Sequence, residues 1–162
     1  MTMTSSQNLQ SSGLYTQDQR SRRDTTVWTT VQGILAPLQF LVFLVSLFLV
    51  ISYMITGLGY EIMTVSIIAK TLLLYIIMIT GAIWEKVVFG QWLFAPAFFW
   101  EDVVSFGVIA LHSLYLYGLI QGTISADTLV LIILAAYASY VINAGQFLWK
   151  LRVARLQMEG AS

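Results

Sequence analysis

The chain has 162 residues, 58% of them hydrophobic and 10% charged, with a formal net charge of zero and a mean hydropathy of +0.80. A soluble domain carries about a quarter charged residues, so this is the composition of a membrane protein, long enough for one bundle. Zero net charge provides no field for nucleic acid, the absence of cysteine excludes disulfides, thiolate nucleophiles and iron–sulfur clusters, and a single histidine excludes a two-histidine haem site.

Residues 1–26 read as a flexible polar N-terminal tail, rich in Ser, Thr and Gln, with Arg20, Arg22 and Arg23 near its end. Leu14 and Tyr15 are its candidates for touching the membrane surface. The apolar run that follows starts too late and runs too long for a cleaved signal peptide. Residues 27–157 form the expected membrane domain, and 158–162 a short C-terminal tail. Within the domain, apolar segments predict spans at about 31–56, 62–84, 101–121 and 127–149, each near the roughly 20 residues a bilayer crossing needs. Helices satisfy their own backbone in lipid, and the continuous apolar pattern lacks the alternation of a barrel strand. The predicted fold is therefore all-α, an integral membrane four-helix bundle. Every Lys and Arg except Lys70 falls in the N-terminal tail, at Lys86 in the second connection, or after the last span at Lys150, Arg152 and Arg155, which predicts that the N- and C-termini are cytoplasmic. Lys70, inside the second span, is expected to snorkel to the opposite interface. Pro37 and Gly33 are expected to bend the start of the first span.

The stretch WEKVVFGQWLFAPAFFWED at 84–102 places Glu85, Glu101 and Asp102 among three tryptophans and four phenylalanines. A carboxyl group in low-dielectric surroundings resists ionisation and can hold a proton for delivery at neutral pH. The aromatic rings offer a flat apolar surface to a large planar ligand. Helical spacing puts Glu101, Ser105, Val108, His112 and Tyr115 on one face, which in a span turns toward the bundle interior. Asp102 sits a helical step away, where it faces headgroups or favours the helix N-terminus. Glu85 and Lys86 close the second span, either as an interfacial ion pair or as part of a site. His112, at mid-span, is a core residue, a proton carrier or a ligand to metal. Gln39, Asn143 and Gln146 fall in the cytoplasmic half, as interhelical hydrogen-bonding groups or as contacts to substrate. Among these residues there is no phosphate loop, serine triad or metal box.

The strings VQGILAPLQF (31–40), GAIWEKVVFGQ (81–91), LFAPAFFWED (93–102) and YVINAGQFLWK (140–150) resemble the vinyl bacteriochlorophyllide hydratase family. The likeness runs from Tyr15 to Gln157. It implies a multi-pass enzyme of bacteriochlorophyll biosynthesis in the inner membrane of a phototrophic bacterium, cytoplasmic or intracytoplasmic. It further implies a hydro-lyase that adds water to the 3-vinyl group of a magnesium chlorin or bacteriochlorin, giving a 1-hydroxyethyl group. Hydrating an alkene is redox-neutral, so no cofactor is expected beyond the magnesium carried by the substrate. On this reading Glu101 is the acid, with Glu85 or Asp102 orienting water. Lys86 or Lys150 pairs with the substrate propionate. His112, Gln39, Asn143 and Gln146 bind substrate, with His112 a candidate axial ligand to its magnesium. The expected partners are the pigment and the lipid bilayer; a homo-oligomer or association with other pigment-biosynthesis enzymes stays open. Two competing readings are a non-catalytic pigment-binding or assembly protein and a small transporter with Lys70 on an ion path. The lack of a clear inverted repeat weighs against the transporter.

Overall fold

Thr16 begins the first helix by accepting a hydrogen bond from the Gln19 amide while the Gln19 side chain accepts from the Thr16 amide, a reciprocal cap that fixes helix α1 over Gln17–Thr25. The computed structural model describes residues 13–160, and the tail positions 1–12 and 161–162 lie outside the described residues. The segment expected as a flexible tail thus contains a nine-residue helix. It is polar on every side, so the apolar periodicity that revealed the spans gives no sign of it.

Four long apolar helices follow: α2 (Val27–Thr56), α3 (Tyr60–Phe89), α4 (Phe99–Gln121) and α5 (Ala126–Glu159). Each is long and apolar enough to cross a membrane, and large side chains such as Ile55, Phe48, Ile120 and Leu131 cover their outer faces. The fold is all-helical. The helices overrun the predicted spans, most of all α5, which continues to Glu159 past the expected limit near 149. Pro37 lies inside α2, which continues helically on both sides of it. Gly90 ends α3 at a φ of 84°, in the left-handed region that glycine enters without steric cost, and Lys86 Nζ donates to its carbonyl at 2.8 Å.

The tightest packing joins α2 to α3 and α4 to α5, so the bundle is two antiparallel hairpins laid side by side. Gly118 brings the second hairpin together: a Cβ there would sit 2.7 Å from Ile124 and 2.9 Å from Leu129. Between the hairpins, Phe43 of α2 packs on Tyr137 and Tyr140 of α5 with ring centroids 5.2 and 4.9 Å away. Ser46 hydrogen-bonds Ser66 at 2.8 Å and Tyr137 at 2.6 Å, tying α2, α3 and α5 at mid-depth. Lys70 does not snorkel. Its Nζ is buried 3.7 Å from the centre of the Tyr140 ring, where the aromatic face substitutes for water around the cation.

A smaller apolar cluster closes the end that carries the chain termini. Tyr15 stacks on Phe89 at 5.7 Å and leans on Phe98 at 6.4 Å, with Val88 and Ala154 beside it. The Arg23 guanidinium lies over the Tyr15 ring, 4.7 Å from its centre, and the Leu14 amide donates to Gln157 at 2.9 Å. All the tryptophans (Trp28, Trp84, Trp92, Trp100 and Trp149) belong to this end of the sequence pattern, near the helix termini that converge there.

Candidate active site

The connection between α3 and α4 folds back against the helix ends. Within it Phe94 adopts a φ of 59°, the left-handed region, which for a bulky residue costs on the order of 1–3 kcal/mol and persists only when its surroundings enforce it. Two carboxylates enforce it. The Phe94 amide donates to Asp102 Oδ2 at 2.7 Å, and the next amide, Ala95, donates to Glu85 Oε2 at 3.2 Å. The Glu85 and Asp102 carboxyl groups thus meet on consecutive amides of one turn. Both residues are buried, at 5% and 3% exposure. Asp102, for which the headgroups, the helix N-terminus and a place in the site were all open, faces inward, because its partners are a second helix and the folded-back turn.

Glu101, one position earlier, joins a different set. Its Oε1 lies 3.6 Å from Lys150 Nζ on α5, and Lys150 also donates to the Ala97 carbonyl at 2.6 Å. Glu101 Oε2 is buried with no hydrogen-bond partner among the described residues. Asn143 donates to the Glu101 carbonyl at 2.9 Å and to Gln146 Oε1 at 3.4 Å, while Ser105 donates to Asn143 Oδ1 at 3.1 Å. Through Glu101 and Ser105, Asn143 thereby fixes α5 against the first turns of α4.

The structure therefore brings Glu85, Glu101, Asp102, Asn143, Gln146 and Lys150 together at one end of the bundle. The periodic face of α4 is buried as expected, and Glu101, Asp102, Ser105, Val108, His112, Tyr115 and Gly118 all lie on it. Lys86 stands apart, exposed and engaged in capping α3. Gln39 is buried on α2, and no hydrogen bond among the described residues joins it to the carboxylate cluster. His112 is fully buried deeper in the bundle: its Nδ1 is 2.8 Å from the Val108 carbonyl, its ring lies 5.8 Å from Tyr137, and its Nε2 has no hydrogen-bond partner among the described residues. Holding a magnesium macrocycle there would require the ring to enter between packed helices. Sequence reasoning missed the Phe94 and Ala95 amides and the Ala97 carbonyl, since backbone groups leave no mark in a side-chain pattern. An open cavity of about 360 Å³, lined by Tyr53, Met54, Gly57, Asp127, Val130 and Leu131, lies at the opposite end of the bundle.

Residues 15–153 match the profile of the family described as 2-vinyl bacteriochlorophyllide hydratase. The chain belongs to that family. It is 70% identical over 148 residues to a 2-vinyl bacteriochlorophyllide hydratase of Cereibacter sphaeroides, covering 91% of this chain and 92% of that protein. It is 68% identical over 154 residues to a protein of the same description from Rhodobacter capsulatus, covering 94% of this chain and 89% of the relative. No solved structure matches. The family match begins at Tyr15, the residue that docks the N-terminal segment onto the bundle.

Proposed function

We infer that this chain is a membrane-bound hydratase that adds water to the vinyl substituent of a bacteriochlorophyllide, giving a 1-hydroxyethyl group. That substituent is position 2 in the older macrocycle numbering and position 3 in the systematic one. The observation that carries the reading is the near-full-length identity to two hydratases of that description. The carboxyl cluster supports the chemistry. A proton moves from the Glu85–Asp102 pair to the terminal vinyl carbon, and the positive charge develops on the carbon next to the conjugated ring, which disperses it. Water adds to that carbon through oxygen. Glu101 Oε2 takes the surplus proton, which returns to the pair and completes the cycle. Glu101, the acid on sequence grounds, suits the accepting role better, because its Oε2 is buried with no hydrogen bond among the described residues and Lys150 stands beside its other oxygen. A carboxyl pair beside a separate carboxylate divides acid and base work between neighbouring groups. Fixed negative charge in a dry site also stabilises the cation.

The reaction is redox-neutral and uses the magnesium of its substrate as a passenger. The one-sided placement of Lys and Arg supports cytoplasmic termini, and with them a carboxylate site at the cytoplasmic face of the photosynthetic bacterium's inner membrane. Membranes from a host without pigment synthesis, expressing this chain and supplied with the vinyl pigment, test the reading. The expected product has gained one water by mass and absorbs to the blue, without added nucleotide or reductant. Pigment that binds and stays unchanged would favour the pigment-carrier alternative.

A further inference from the structure

The aromatic side chains around the strained turn do not all point inward. Phe94 and Phe106 lie nearly parallel, at an interplanar angle of 14° and 5.4 Å between centroids, and Phe99 packs on Phe94 at 5.7 Å. All three remain substantially exposed, at 39%, 43% and 42%. Phe106 is one turn along α4 from Asp102, and the Phe94 amide is bonded directly to the Asp102 carboxylate. The left-handed conformation of Phe94 aims its ring onto Phe106, and Glu85 and Asp102 hold that conformation in place. A ring serving only as an interfacial anchor has no need of a disfavoured backbone clamped by two buried acids.

We propose that Phe94, Phe106 and Phe99 form the lipid-facing seat on which the flat tetrapyrrole ring docks from the bilayer, with its reacting edge turned toward Asp102. The seat rests on the hydratase reading for the identity of its occupant. Ring-on-ring stacking supplies orientation as well as affinity, because offset parallel contact fixes the plane of the ligand. The substrate then reaches the carboxyl pair sideways, and the packed core around His112 stays closed.

Glycine tolerates the backbone of residue 94 and keeps its amide, so Phe94→Gly removes the ring while preserving the bond to Asp102. Phe106→Ala removes the second ring without touching the turn. Phe48→Ala, at a lipid-facing position on α2, is the control. Binding is read in lipid nanodiscs from quenching of tryptophan emission by a pigment carrying ethyl in place of vinyl, which cannot be hydrated. Kd should rise about threefold to tenfold in Phe94→Gly and Phe106→Ala and stay unchanged in Phe48→Ala. With the vinyl pigment, KM should rise more than kcat falls. Phe94→Gly should melt no earlier than the parent, since it relieves the strained φ. Unchanged Kd and KM in both ring variants, with hydration intact, would overturn the seat and leave the hydratase reading standing. An equal rise in Phe48→Ala would also overturn it. A parent protein that hydrates nothing, yet binds the ethyl pigment with the same dependence on Phe94 and Phe106, would refute the reaction and uphold the seat.

Discussion

Glu85 and Asp102 come from consecutive apolar helices, and each accepts one of two adjacent amides of the same turn. The pair is the clasp of the connection between α3 and α4, and in the proposed mechanism it is also the proton source. On that mechanism, proton chemistry and backbone geometry are coupled at a single point.

Asp102→Asn separates those roles. Its amide oxygen still accepts from Phe94, but the transferable proton is gone. Turnover should fall about 10²–10⁴-fold with pigment affinity retained, the range typical of a lost general acid–base step. Glu101→Gln should give a loss of the same kind, since it removes the acceptor. Single-turnover assays by mass detection, alongside binding of the ethyl pigment, check both. Full turnover in either variant removes that carboxyl from the mechanism.

The cysteine-free sequence makes topology directly measurable. Single cysteines at Ser21, Leu58, Gln91 and Thr123 can be probed with an impermeant thiol reagent in intact cells. Cytoplasmic termini require labelling at Leu58 and Thr123 and protection at Ser21 and Gln91. The reverse pattern would place the carboxylate cluster on the other side of the membrane.

His112→Ala is expected to act on stability. The substitution opens a cavity beside Tyr137 and frees the Val108 carbonyl of a contact. Large-to-small changes in a core typically destabilise by about 2–5 kcal/mol. The midpoint of thermal unfolding in detergent should drop, while magnesium-bearing and metal-free pigments keep their affinities. A selective loss for the magnesium pigment would instead reveal an axial ligand.

Tyr15→Ala should loosen the N-terminal latch. Aromatic contacts of the kind Tyr15 makes are worth about 0.5–1.5 kcal/mol each, so trypsin cleavage after Arg20, Arg22 or Arg23 should speed up about threefold to tenfold. Burial raises the Tyr15 phenol above its ordinary 10.0, with the Arg23 charge opposing the shift. A raised folded-state value means that the contribution of Tyr15 is complete below pH 10 and fades as pH climbs through that value. Proteolysis at neutral pH therefore reports the intact latch, and a strongly alkaline step should release it.

The spans were legible because apolar length alone decides what a bilayer accepts. The Glu101–Ser105–His112 face was legible because helical periodicity is local. What escaped had non-local causes. Asp102 is buried by groups from α3 and from a turn that no propensity would assign to phenylalanine. Lys70 stays inside because a ring on α5 receives it. Helix α1 had a usable signal, Thr16 followed three residues later by Gln19, but no apolar stripe drew attention to it.

The hairpin arrangement has a consequence for assembly. Glu85 belongs to the α2–α3 hairpin, while Asp102, Glu101, Asn143 and Lys150 belong to the α4–α5 hairpin. Each half is apolar enough to insert by itself, yet neither carries the full carboxyl cluster. A chain severed between Gly90 and Trp92 should be inert as separate fragments and regain turnover when both are co-expressed. The two membrane hairpins are then partners, tethered by the turn that they jointly grip.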